Sequence, residues 1–135
     1  MKNIAILGST GSIGKSALSI AETHPDLFTI SALAANTSVD LIEQQVRQFH
    51  PKLVALYDQG AANLLRQRIS DLKSVEVMSG AMGISAVATI DEAELVLEAM
   101  GGSTGLLPTL EAIEAGKDLA FVNKEVLVMC GSLVQ

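Results

Sequence analysis

Six short apolar runs rich in branched residues punctuate this chain: Ile4–Leu7, Phe28–Ala34, Leu53–Tyr57, Val75–Met78, Leu95–Met100 and Leu119–Val122. Between them the apolar residues recur at helical spacing. Strands that alternate with helical segments build successive strand-helix-strand units, and such units close into a parallel sheet. The pattern therefore predicts an α/β fold, doubly wound, with a mainly parallel sheet of six strands and helices on both faces. Composition agrees, because 49% of the 135 residues are apolar and only 3% aromatic, so the core is built from Val, Ile, Leu and Ala. That palette suits helices laid on a buried sheet better than an aromatic-rich sandwich. The length provides one hydrophobic core and hence one domain, residues 1–135.

The helices are read from their spacing. Ile13, Ala17, Ile20 and Ala21 share one face of a first helix that His24-Pro25-Asp26 stops. Val39, Ile42, Val46 and Phe49 define a second before His50-Pro51, and Leu65, Ile69 and Leu72 a third. Residues 81–92 are expected to form a helix ending near Thr89-Ile90-Asp91, and Leu106, Leu110 and Ile113 a later one closed by Gly116. Asn123–Gln135 reads as a last helix whose apolar face, at Leu133 and Val134, has no return strand behind it. The expectation is a segment of a longer protein.

Charge excludes some partners. The net charge is −6 and the 9 basic residues are scattered, which argues against nucleic acid. No apolar run approaches the roughly 20 residues needed to cross a bilayer. The first residues enter a strand directly instead of forming a signal peptide. A single cysteine, Cys130, excludes an internal disulfide and suits a reducing compartment, cytoplasmic or plastid. Cys130 reads as a buried small apolar residue, His24 and His50 as turn residues, Asp58 equally as a strand-end carboxylate for magnesium or a helix N-cap, and Asp91, Glu92, Glu94 and Glu98 as a solvated face.

The first strand runs into GSTGSIGKS, Gly8–Ser16, which combines two phosphate-binding devices. A triphosphatase P-loop, GxxxxGK[ST], would use Lys15 and Ser16 but needs a glycine where Ser9 stands, so it fails by one position. The dinucleotide reading, GxxGxxG, fits the strand-loop-helix setting. Gly8 permits the tight exit from the strand, Gly11 admits a diphosphate, and Gly14 lets the helix pack against the sheet. The amides of Gly11, Ser12 and Ile13 are expected at the helix N-terminus, where an anion is favoured; Thr10 and Ser12 add hydroxyls. This makes the sheet Rossmann-like. At the end of the second strand, where an NAD site usually carries an acid, the chain reads AANTS. A missing carboxylate favours NADP, with Asn36, Thr37 and Ser38 as neutral donors to a 2′-phosphate, and Thr37 or Ser38 also caps the next helix.

Two further stretches, GGSTGLLPTLEAIEAGK at Gly101–Lys117 and FVNKEVLV at Phe121–Val128, join ILGSTGSIG at Ile6–Gly14. Together, in this order, they resemble the 1-deoxy-D-xylulose 5-phosphate reductoisomerase family of non-mevalonate isoprenoid synthesis. The resemblance implies an enzyme that uses NADPH and a divalent metal, Mg or Mn, to rearrange 1-deoxy-D-xylulose 5-phosphate and reduce it to 2-C-methyl-D-erythritol 4-phosphate. It also implies a homodimer for the full-length enzyme. It assigns Thr10, Gly11, Ser12 and Ile13 to the diphosphate loop, Asn123 and Glu125 to cofactor contacts near the nicotinamide, and Lys124 to the substrate. The family commonly carries Gly, a variable and often basic residue, then Asn where this chain has Asn36, Thr37 and Ser38, and smaller residues at Val122 and Val126. Its metal ligands, lid and substrate-phosphate groups are expected beyond Gln135, so the segment alone is expected to bind cofactor without turnover. The alternative from another class is a stand-alone module that senses a dinucleotide and reports to a partner protein.

Overall fold

The computed structural model of the chain describes residues 2–100, 102–123 and 126–129. Through them run β1 (Lys2–Leu7), α1 (Ser12–Thr23), β2 (Phe28–Ala35), α2 (Val39–Phe49), β3 (Leu53–Leu56) and α3 (Gln59–Arg68). There follow β4 (Glu76–Ser79), α4 (Gly80–Ala88), β5 (Leu95–Glu98), α5 (Gly102–Glu114), β6 (Asp118–Asn123) and β7 (Val126–Met129). The described strands form one sheet in the order β4-β3-β2-β1-β5-β6-β7. Every pair is parallel except β6 with β7.

From β1 to β4 the chain steps outward one neighbour at a time, then crosses the whole sheet to lay β5 against the free side of β1. That reversal puts the helices on two faces. Leu18 and Ala21 of α1, Ile42 and Val46 of α2 and Leu65 of α3 cluster with Ile6, Leu33, Val54 and Leu56. On the opposite face Ile84 and Val87 of α4 and Ala112 of α5 cluster with Ala5, Leu7, Ala32, Ala55 and Val96. Consecutive strand residues alternate between the clusters, as pleating requires. A bulge at Ser31 shifts the β1–β2 register between Ile4 and Ala5, so that Ile30 and Leu33 serve the same cluster.

The predicted strands and the first five predicted helices are present, with the third ending at Arg68, short of Leu72, the fourth ending at Ala88, and Gly116 in the left-handed region at φ 80°. Three details differ. On α1 the buried stripe is Gly14, Leu18 and Ala21, while Ile13 and Ile20 are 37% and 56% exposed. On α5 the buried residues include Gly105, Pro108 and Ala112, while Leu106 and Leu110 are exposed. In both helices the segment is apolar on more than one side, so periodicity left the rotation open, and close backbone approach chose the small residues. Third, the predicted last helix gives way over Val126–Met129 to β7, paired from Asn123↔Val126 to Ala120↔Met129. Val-Leu-Val-Met is a good strand former, and pairing satisfies backbone groups along the edge of β6 that would otherwise lack partners. Asn123 ends β6, and Lys124, Glu125 and residues 130–135 of that predicted helix, Cys130 among them, lie outside the described residues.

Ile6, 1% exposed at the centre of the sheet, and Ile20, 56% exposed over its flank, separate core from cover. Ile6→Ala is expected to lower the unfolding free energy by about 2–5 kcal/mol. Ile20→Ala is expected to lower it by about 1 kcal/mol or less. Urea denaturation of the two variants checks both.

Candidate dinucleotide-binding site

β1 ends at Leu7, and the next two amides, of Gly8 and Ser9, both donate to the Ala34 carbonyl of β2, at 2.7 and 3.0 Å. The turn is sharp enough to need φ 92° at Gly8, in the left-handed region open to glycine. A Cβ there would stand 2.7 Å from the Ala99 carbonyl carbon, so the turn after β1 lies against the chain leaving β5. Gly14 is equally constrained, since its Cβ would lie 2.2 Å from the Gly8 carbonyl oxygen. Gly11 differs. Its Cβ would meet nothing nearer than the Gly8 oxygen at 3.7 Å, an ordinary contact. The first and third glycines serve packing, and the second leaves open the space in front of the helix.

Among the three amides expected there, that of Gly11 turns inward to the Gly8 carbonyl at 3.3 Å. Ser12, Ile13 and Gly14 open α1, and the first-turn amides of a helix have no acceptor within it. Gly11, the N-cap, makes no side-chain cap bond, and the first turn holds no acid. Gly11, Ser12 and Ile13 are exposed and Thr10 half-buried. The helix thus presents unneutralised amides and the positive end of its dipole at the crevice between β1 and β5, where the strand order reverses. Lys15 lines the cleft between α1 and α2 with Glu22, Gln44 and Gln48, away from this crevice.

Beside it, β2 is followed by the exposed residues Asn36, Thr37 and Ser38. The Asn36 carbonyl accepts the Asp58 amide at 3.1 Å, and the Thr37 carbonyl accepts the Val39 amide at 2.8 Å. Ser38 occupies the N-cap of α2 but its side chain makes no cap bond, contrary to the expected cap. Asp58 does cap α3, accepting the Ala61 amide at 2.8 Å.

One cation escaped the sequence reading. Arg68, from the last turn of α3, lines the same depression as Thr37 and Ser38. Its guanidinium pairs with Asp40 and, at 3.5 Å, with Glu43, and the hydrogen bond it donates to Asp40 raises its pKa further above the ordinary value. Nothing in the local sequence signals it, because only the packing of α3 beside α2 brings it there.

The acids of the anticipated solvated face separate. Glu92 pairs with Lys52 at 3.1 Å, an interaction that lowers the Glu92 pKa, and Glu94 accepts the Asn3 amide at 3.0 Å. Both lie near the amino ends of strands. Glu98, half-buried, ends β5 at the opposite edge and accepts the Met100 amide at 2.7 Å. Among the described residues no three His, Cys, Asp or Glu side chains converge on a metal geometry. His24, whose Nδ1 lies 2.9 Å from the Thr23 hydroxyl, and His50, at φ 50°, are exposed at helix C-caps. Asn123 ends β6, whose register with β5 puts it at the carboxyl edge that holds the glycine turn. Lys124 and Glu125 lie outside the described residues.

A parallel sheet that reverses its order beside a glycine turn opening a helix is the doubly wound architecture of the Rossmann class. Its particular family follows from comparison with known proteins. The sequence profile described as 1-deoxy-D-xylulose 5-phosphate reductoisomerase matches residues 4–131, and the chain belongs to that family. It is 43% identical over 135 residues to the reductoisomerase of Thermodesulfovibrio yellowstonii, covering 100% of this chain and 35% of that protein. With the enzyme of Lachnoclostridium phytofermentans it shares 48% over 134 residues, 99% of this chain and 34% of the relative. The chain therefore spans about a third of the length of these relatives. The Zymomonas mobilis enzyme, solved in complex with NADPH, superposes with a TM-score of 0.85 at 32% identity, over 91% of this chain and 32% of that one. A reductoisomerase in complex with NADPH, fosmidomycin and magnesium gives 0.86 at 34% identity, over 93% of this chain and 31% of that one. No described helix is long and apolar enough to cross a membrane.

The glycines separate stability from access. Gly14→Ala is expected to cost about 1–3 kcal/mol in thermal or urea unfolding, because backbone must move. Gly11→Ala is expected to change stability by about 1 kcal/mol or less.

Proposed function

We propose that this chain is the NADPH-binding domain of a 1-deoxy-D-xylulose 5-phosphate reductoisomerase. One observation carries the reading: an uncapped helix N-terminus at the switch crevice, with open space in front of Gly11. The group fits these residues. The amides of Ser12 and Ile13 and the hydroxyls of Thr10 and Ser12 hold the diphosphate, while Asn36, Thr37 and Ser38, with no carboxylate among them, receive the 2′-phosphate. Arg68, already against that depression, supplies the cation lacking from the β2–α2 turn. Asn123 and Glu125 contact the cofactor near its nicotinamide, and Lys124 binds the substrate and stabilises negative charge developing on its oxygen.

The bound cofactor supplies a hydride. In the whole enzyme it would serve the reductive half of the conversion of 1-deoxy-D-xylulose 5-phosphate to 2-C-methyl-D-erythritol 4-phosphate. For the whole enzyme the family resemblance implies a divalent metal, Mg or Mn, and a homodimer. Holding a hydride donor without a substrate opposite it produces no turnover. The working compartment is cytoplasmic or plastid.

Calorimetric titration tests the assignment. NADPH is expected to bind near micromolar, about −8 kcal/mol, with NADH weaker and ATP with magnesium not bound. Gly11→Val should abolish NADPH binding, because its side chain fills the diphosphate's place; binding equal to the parent's would remove the loop from the site. Arg68→Gln is expected to weaken NADPH about tenfold and leave NADH unchanged, the signature of a 2′-phosphate contact.

A further inference from the structure

The described core contains three buried polar side chains, Ser9, Ser31 and Gln45. Ser31 occupies the β1–β2 bulge. The other two are joined, for Gln45 Nε2 donates to the Ser9 carbonyl at 2.9 Å. Gln45 lies on the inner stripe of α2 with Ile42 and Val46 and is only 6% exposed. An aliphatic side chain there would pack without desolvating an amide. Gln45 Oε1 and Ser9 Oγ, both buried, have no hydrogen-bond partner among the described residues. Leaving polar atoms unpaired in a core destabilises the fold, so packing does not account for this residue.

The geometry of the peptide bond does. Ser9 is wedged under the first turn of α1, since a Cβ on Gly14 would lie 2.6 Å from the Ser9 Cα. In a planar trans peptide the carbonyl and the following amide point in opposite directions. The described chain has no cis peptide. When Gln45 holds the Ser9 carbonyl, the Thr10 amide on the same peptide is turned away from Gln45. We propose that Gln45 is a positioning residue for the dinucleotide: by binding the Ser9 carbonyl from α2, it aims the Thr10 amide at the diphosphate. This role rests on the NADPH reading above and adds to it a second-helix brace for the loop. Gln45 Oε1 and Ser9 Oγ make no hydrogen bond to each other, so the role rests on the carbonyl contact alone.

Three variants measured by NADPH calorimetry test the role, with adenosine 2′-phosphate, which has no diphosphate, titrated by chemical shift as a control. Gln45→Met keeps volume and removes the donor; it is expected to weaken NADPH about tenfold. Gln45→Glu sets a carboxylate against the carbonyl and is expected to weaken it about thirtyfold or more. Ser9→Ala keeps the carbonyl and should stay within about threefold of the parent. Adenosine 2′-phosphate binding should be the same in all of them. The role is overturned if Gln45→Met binds NADPH as the parent does, or loses both ligands in equal proportion, which would mark a packing defect. A parent chain that binds neither ligand overturns the proposed function itself, and this role with it.

Discussion

Three stretches of backbone meet where β1 ends, and glycine is the residue that lets them. Gly8 lies against the peptide leaving β5, and Gly14 brings the first turn of α1 down onto the carbonyl of Gly8. The contact at Gly14 fixes how α1 leaves the sheet, and the contact at Gly8 ties the two sides of the switch crevice together. A side chain at either position would lift the helix or part the strands. The anion-binding character of the helix end then follows from where it is pinned, since a helix dipole is effective only within about a turn of its terminus.

Around that junction the fold divides its labour. The face under α4 is lined along the middle strands by Ala5, Ala32, Ala34 and Ala55, small enough to let the helix that spans the reversal lie close. The other face carries larger aliphatics beneath α1, α2 and α3. Charge is kept to the rim. Arg47 joins Glu43 on its own helix to Asp71 beyond α3, with the Arg47 hydrogen bond lowering the Asp71 pKa, and Arg68 joins α3 to Asp40. Such exposed pairs add little stability singly. They do tie α2 to α3, and α2 is the helix that reaches the glycine turn through Gln45. The crevice itself is left with amides, hydroxyls and few carboxylates, despite a net charge of −6.

Much of this was legible in the residues. Six strands and five helices were placed within a few positions, because branched apolar runs and 3.6-residue spacing are local signals of backbone preference and one-sided burial. The glycine turn was legible too, because its spacing reflects local steric demands. The rotation of α1 and α5 was not, as Ile20, Leu106 and Leu110 satisfy a helical period without facing the core. Nor was β7, where a run of apolar residues suits helix or strand until an open edge is present beside it.

The sequence alone therefore determined the alternation of elements, the glycine turn between β1 and α1, and the absence of an acid where a ribose hydroxyl would need one. These depend on residues close together in the chain. Tertiary structure decided the strand order that puts β5 beside β1, the arrival of Arg68 next to Thr37 and Ser38, the Gln45 amide under Ser9, and the parting of Glu98 from Glu92 and Glu94. Each of these joins or separates groups through packing between elements distant along the chain, and local preference carries no information about such distances.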